Sequence, residues 1–206
     1  MNATCHALAL AVVATLTLHT APAAQEAAGP AAELALHVDR IFKTLEDPTL
    51  KAGEKAAARR AAVRMAVGEI FDFAEASRRA LGRYWDERTP EERERFVRLF
   101  TDLLDRGYLS RIELYDGEQV IVIGETVEGD SAVVQTVVVT KDGSRTGVDY
   151  AMRRADEPRW RVWDVRIAGM SLVSSYRAQF HKIIRTSSWD DLVRRLETRV
   201  SGNASP

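Results

Sequence analysis

Apolar residues recur through the first half of the chain at helical spacing. Leu34, Val38, Ile41, Phe42 and Leu45 fall on one stripe, which Pro48 terminates because its ring cannot continue a helix. Val63, Ala66, Val67, Ile70 and Phe71 form a second stripe. Asp72 followed by Glu75 reads as a capping box that opens a short third helix ending near Leu81-Gly82. The fourth pattern is the clearest. Thr89 can accept from free backbone amides, Pro90 suits the first helical position and Glu92 can cap in return. Its stripe runs through Phe96, Leu99, Phe100, Leu103, Leu104, Tyr108 and Ile112, and Asp116-Gly117 ends it. Gly107 interrupts this stripe at about 1 kcal/mol relative to Ala, either as a tolerated glycine or where another backbone or a ligand comes close.

From Gln119 the period becomes extended. Runs rich in β-branched residues occupy Val120 to Val127, Val133 to Thr140, Val148 to Met152 and Trp160 to Ile167. Gly129-Asp130 and Asp142-Gly143 are turn pairs between neighbours, so the four strands form an antiparallel meander. Leu172, Val173, Tyr176, Phe180, Ile183 and Ile184 then share one side of a helix, and Ser188 with Asp191 caps a last one carrying Leu192, Val193 and Leu196. Helices first, a four-stranded sheet second and a helical end define the α+β class. One domain is expected over residues 33–200, after a flexible Ala/Gly/Pro lead over 24–32 and before a tail over 201–206.

Strand alternation nominates Val137, Val139, Val148, Tyr150, Met152, Trp163, Val165 and Ile167 as inward-facing. Phe96, Phe100, Leu103, Tyr108, Tyr176, Phe180 and Ile184 are their helical counterparts. Such a set serves a packed core or a pocket for a greasy ligand equally well, and periodicity does not separate the two. Asp149 and Asp164 have the opposite parity and are expected to face outward. If either instead pointed inward beside Tyr150 or Trp163, a carboxylate with a raised pKa could act as a general base, as in an isomerase or dehydratase of an apolar substrate.

The first 23 residues carry no Lys, Arg, Asp or Glu, contain an apolar run from Ala7 to Leu18 and finish in Ala21-Pro22-Ala23. That is the layout of a secretory signal peptide cleaved after Ala23, with a run too short to span a bilayer. The chain's one cysteine, Cys5, lies inside it, so a processed chain has no thiol for a disulfide or a metal site. A formal net charge of -1 argues against nucleic acid as the main partner. Arginine clusters sit among glutamates at helical spacing, as in Glu91 with Arg95 and Glu94 with Arg98, which marks solvated faces. His37 and His181 are isolated, and neither a phosphate loop, a nucleophile elbow nor a zinc spacing occurs.

Several stretches carry a resemblance. They are Phe71-Asp72-Phe73, Arg79-Ala80-Leu81-Gly82 with Trp85, and Thr89-Pro90 through Phe96 and Phe100 to Tyr108 and Tyr115. Most specific are Asp164-Val165 and Ile167 followed by Gly169, Ser171-Leu172-Val173, Tyr176-Arg177, Gln179-Phe180 and Ile183-Ile184. Together they resemble the MlaC-like family, or toluene-tolerance proteins, roughly from Leu34 to Leu196, departing at Glu92 and at Ser187-Ser188-Trp189. The resemblance implies helices on a curved sheet, similar to the nuclear-transport-factor-like cone, enclosing an apolar cavity. It further implies a monomeric periplasmic carrier without a cofactor, its cargo a phospholipid. The implied partners are an outer-membrane lipoprotein complex and an inner-membrane lipid ABC transporter with a substrate-capturing domain, in a system that maintains outer-membrane lipid asymmetry. Two acyl chains of roughly 30 methylenes would cost about 24 kcal/mol if bared to water. A cavity of about 1,000 Å³ or more is therefore expected.

Overall fold

The computed structural model describes residues 29–50, 55–109, 114–154 and 159–202. The anticipated leader, Ile112 and most of the lead and tail lie outside these residues. Helix α1 spans Pro30–Glu46 and so starts inside the expected lead: Gly29 is extended, Pro30 takes the first helical position and is buried, and Glu33 sits in the first turn. Glu33 accepts a hydrogen bond from the Trp160 amide at 2.8 Å, while the Ala31 amide donates to Glu125 at 2.9 Å. Both bonds pin the helix start to the sheet.

Helices α2 (Ala56–Ile70), α3 (Phe73–Leu81) and α4 (Pro90–Leu104) follow. Asp72 accepts from the Glu75 amide at 2.9 Å, but the Glu75 carboxylate turns to Arg78 and Arg79, so only half of the expected box forms. At α4 both halves close, Glu92 N–H to Thr89 Oγ1 at 3.2 Å and Thr89 N–H to Glu92 Oε2 at 2.9 Å. The α-helix stops at Leu104, short of the expected end, and passes into a π-type turn over Asp105–Leu109. Gly107 lies in that turn with open space where a side chain would stand, so neither backbone nor core presses on it.

Strands β1 (Gln119–Glu128), β2 (Ser131–Val139), β3 (Arg145–Arg154), β4 (Trp160–Ile167) and the short β5 (Met170–Ser171) form one antiparallel sheet in sequence order. The fifth strand was not expected. Ala168 and Gly169, at φ 48° and 80°, reverse the chain tightly enough to make it. Bulges interrupt β1 between Val122 and Gly124 and shift the β3–β4 register between Ala151 and Met152. Helices α5 (Leu172–Thr186) and α6 (Trp189–Val200) complete the described fold.

Apolar burial is divided. Leu34 of α1 and Ile70 of α2 pack on one sheet face with Ala132, Val134, Met152, Trp160 and Val162. A second core lies among α3, α4, α5 and α6 around Phe96, Phe100, Val173, Phe180, Leu192 and Leu196. A small third cluster, Leu45, Val63 and Val67, joins α1 to α2. The α2–α3 junction is stitched to β4 by the Asp72 amide on the Val162 carbonyl at 2.7 Å and by Arg161 on the Phe71 carbonyl.

Candidate functional site

The sheet register sorts the sequence candidates by face. Val148, Tyr150 and Met152 lie opposite Thr136, Val134 and Ala132, and Val165 and Ile167 pair with Tyr150 and Val148. This is the face that α1 covers, and burial there pushes the Tyr150 phenol up to about 12. Val137 and Val139, expected on the same side, pair with Gly147 and Arg145 and occupy the other face. The cause is visible in β2, where Val133, Val134, Val137, Val138 and Val139 make both parities apolar. Trp163 also leaves its expected companions. It is the extra residue of the bulge between Val162, opposite Met152, and Asp164, opposite Ala151. It packs on the helical core with the Arg79 guanidinium 3.9 Å above its ring.

The expectation that both acids face solvent is corrected for Asp164. It is opposite to Val165, as parity requires, yet that side is covered by α5 and the residue is only 3 % exposed. One carboxylate oxygen accepts from Ser171 Oγ at 2.6 Å and the other from the Val173 amide at 3.0 Å. Both oxygens therefore hold the start of α5 against β4. Asp149 is half-buried, between Gln135 and Arg166 in the register. His37 is buried, its pKa lowered by desolvation and by Arg40, with Nδ1 3.8 Å from Glu69. His181 meets Tyr84 Oη at 3.1 Å and Arg83 at 2.9 Å.

The helical candidates converge. Phe96, Phe100, Tyr176 and Phe180 form an aromatic cluster, with Phe96 and Phe100 edge-on to Phe180 at 5.5 and 5.4 Å and Phe100 edge-on to Tyr176 at 5.1 Å. Beside it, α4, α5 and α6 bound a half-open cleft of about 460 Å³. Leu103, Phe180, Ile183, Leu192 and Leu196 supply its apolar lining, while Tyr176, Gln179, Thr198, Arg194, Arg195 and Arg199 supply its polar lining. Ile184 packs on the same core. Burial, together with the neighbouring Tyr108, raises the Tyr176 pKa, so the phenol keeps its proton at neutral pH. Arg194 and Arg195 both bind Asp191, the latter at 2.8 Å. Although burial opposes it, these bonds hold the Asp191 carboxyl below the usual carboxylate range.

Sequence reasoning had anticipated Leu103, Tyr176 and Phe180 but not the contribution of α6. Its Leu192 and Leu196 are legible as an apolar stripe, whereas nothing in the sequence singles out Arg194, Arg195 and Arg199. The cleft holds less than half of the 1,000 Å³ expected for two chains, because the interlocked aromatic rings beneath it fill the space between the helices. Among the described residues no cluster of His, Cys, Asp or Glu could hold a metal ion. No helix there is long and apolar enough to cross a membrane.

Fold and cleft together define an α+β protein in which a meander supports a four-helix layer with an amphiphilic, half-open cleft. Residues 37–198 match the family described as MlaC protein, and the chain belongs to that family. It is 20 % identical over 167 residues to the intermembrane phospholipid transport system binding protein MlaC of Haemophilus influenzae, covering 79 % of this chain and 78 % of that one. Among solved structures it is similar to a phospholipid-binding protein from Ralstonia solanacearum in complex with a phospholipid. The TM-score is 0.75 at 26 % identity, with 86 % of this chain and 100 % of that one covered.

Proposed function

We propose that this chain is a phospholipid carrier of the periplasm, exported by a leader removed after Ala23 and built as one domain over residues 33–200. The observation that carries the reading is the match to a solved protein with a phospholipid bound, over all of that protein's length. The cleft supports it, since a lipid needs an apolar bed for its chains and a polar margin for its headgroup, and this cleft has both. Leu103, Tyr176 and Phe180 would touch the chains, with Leu192, Leu196 and Ile183 on the α5–α6 side. A volume of about 460 Å³ is well under the need of two chains, so loading would spread α5 from α6 and part the rings of Tyr176 and Phe180 from Phe100. The partners that fit such a carrier are an inner-membrane lipid transporter with a substrate-capturing domain and an outer-membrane lipoprotein complex. The test is direct. Protein purified from the periplasm without detergent is extracted with solvent and analysed by mass spectrometry, and about one phospholipid per protein is expected. Protein that arrives without lipid, and takes none from vesicles, refutes the proposal.

A further inference from the structure

We infer that Arg199 and Tyr176 form an anion subsite in the cleft, taking the phosphodiester of an amphiphile whose chains lie on Leu103, Phe180 and Leu196. The inference rests on the carrier reading and adds to it a recognition chemistry for the headgroup. Both residues line the cleft, and the charge of Arg199 acts on the Tyr176 phenol. Among the described residues no acidic side chain lines the cleft. Arg194 and Arg195 share the single carboxylate of Asp191, which leaves excess positive charge at that margin. The acid on α6 between them and Arg199, Glu197, is taken by Arg95 at 2.5 Å. Arg199 alone of the three has no carboxylate partner among the described residues.

A planar guanidinium offers parallel N–H donors that match two oxygens of a phosphodiester, and a neutral phenol adds a third donor. The apolar side of the cleft cannot solvate an anion, so the charged group must settle where the donors are. The same chemistry would take the phosphate of a lipid headgroup or a free phosphate ester, and the apolar bed beside it selects the former.

The experiment uses the delipidated, processed chain as wild type, Arg199→Gln, Tyr176→Phe and the remote control Arg98→Gln, each shown to be folded by its thermal melt. Affinity is measured for dioleoyl phosphatidylglycerol, for dioleoylglycerol, which has the same chains and no phosphate, and for glycerol 3-phosphate. The expected result is that wild type prefers the phospholipid to the diacylglycerol at least about tenfold, as one charge-assisted bidentate contact allows. Arg199→Gln loses most of that preference without changing diacylglycerol binding, Tyr176→Phe loses about threefold, and Arg98→Gln loses nothing. Equal loss of both lipids in Arg199→Gln, or an equal effect in Arg98→Gln, overturns the subsite. Competition by glycerol 3-phosphate as effective as that of the phospholipid overturns the amphiphile and leaves a site for free phosphate esters. If wild type binds neither lipid the carrier reading fails, whereas equal binding of both, unchanged in the variants, defeats the subsite alone.

Discussion

Removing the Asp164 carboxylate should release the start of α5 from the sheet. Asp164 is 3 % exposed and accepts two hydrogen bonds, from Ser171 Oγ at 2.6 Å and from the Val173 amide at 3.0 Å. A hydrogen bond to a charged group contributes about 1.5–3 kcal/mol, and a buried donor left without a partner costs about 1–3 kcal/mol. Ser171 keeps its own bond to the Ser174 amide at 2.9 Å, so the helix retains one cap and the two losses do not add in full. Asp164→Ala should therefore destabilise by about 3 kcal/mol. Asp164→Asn, which keeps one acceptor oxygen, should cost about half of that. With a urea slope of about 2 kcal/mol/M, the Ala variant's midpoint falls by roughly 1.5 M. Asp149→Ala is the internal control, with an expected change within about 0.5 kcal/mol, since that side chain is half-buried and makes no comparable cap. Urea unfolding followed by tryptophan fluorescence reads all three. A midpoint for Asp164→Ala within error of Asp149→Ala would show that the α5 start is held by packing alone, and would remove the argument.

The Glu75 carboxyl is depressed to about 2 from 4.5, burial opposing and the hydrogen bonds and charges of Arg78 and Arg79 prevailing. Because the folded pKa lies below the unfolded one, this stabilisation is full above about pH 5 and is lost as pH falls through 4.5 toward 2. Glu75→Gln should cost about 1–3 kcal/mol at pH 7, discounted for its half-exposed arginines, and the gap to wild type should close by pH 2; a gap independent of pH refutes the pairing. Val165→Trp enlarges a residue packed between β4 and α1, so it should destabilise by about 1–3 kcal/mol while the folded fraction keeps its lipid. Wild-type stability with depleted lipid phosphorus would instead move the cargo to the sheet face.

Local devices were legible in the chain, and events that need a partner strand were not. Thr89-Pro90 with Glu92 specifies a helix start within four residues, and the structure has it there with both reciprocal bonds. Asp142-Gly143 likewise specifies its turn, Gly143 taking φ 84°. Trp163 was misplaced because a bulge is a mismatch between two strands, and Val162-Trp163-Asp164 alone reads as regular alternation. Val137 and Val139 were misplaced because β2 is apolar at both parities, so only its pairing with Thr136↔Val148 and Val134↔Tyr150 decides which side meets α1. The cleft was half legible. Phe180 and Leu103 announce an apolar interior, but a gap between α5 and α6 is a property of how two helices diverge, and Arg199 gives no sign from its neighbours that it borders one.

The separation of the sheet-facing core from the helical core bears on how such a cleft could widen. The walls of the cleft belong to α4, α5 and α6, while the sheet buries its apolar face against α1, so moving α6 away from α5 disturbs no sheet contact named above. What must not move is the root of α5. Asp164 holds its first turn, and Arg177 bonds the Arg79 carbonyl at 2.7 Å one turn further on, beside the Trp163 ring under Arg79. Ser187 and Ser188 join α5 to α6 without a proline or glycine, and Ser188 caps α6 through the Asp191 amide at 3.1 Å. The short connection keeps the two helices together at that end. On the proposed reading any opening would therefore be directed to the other end, where Tyr176 and Arg199 stand, and cargo entering there would pass the donors before its chains reached Phe180.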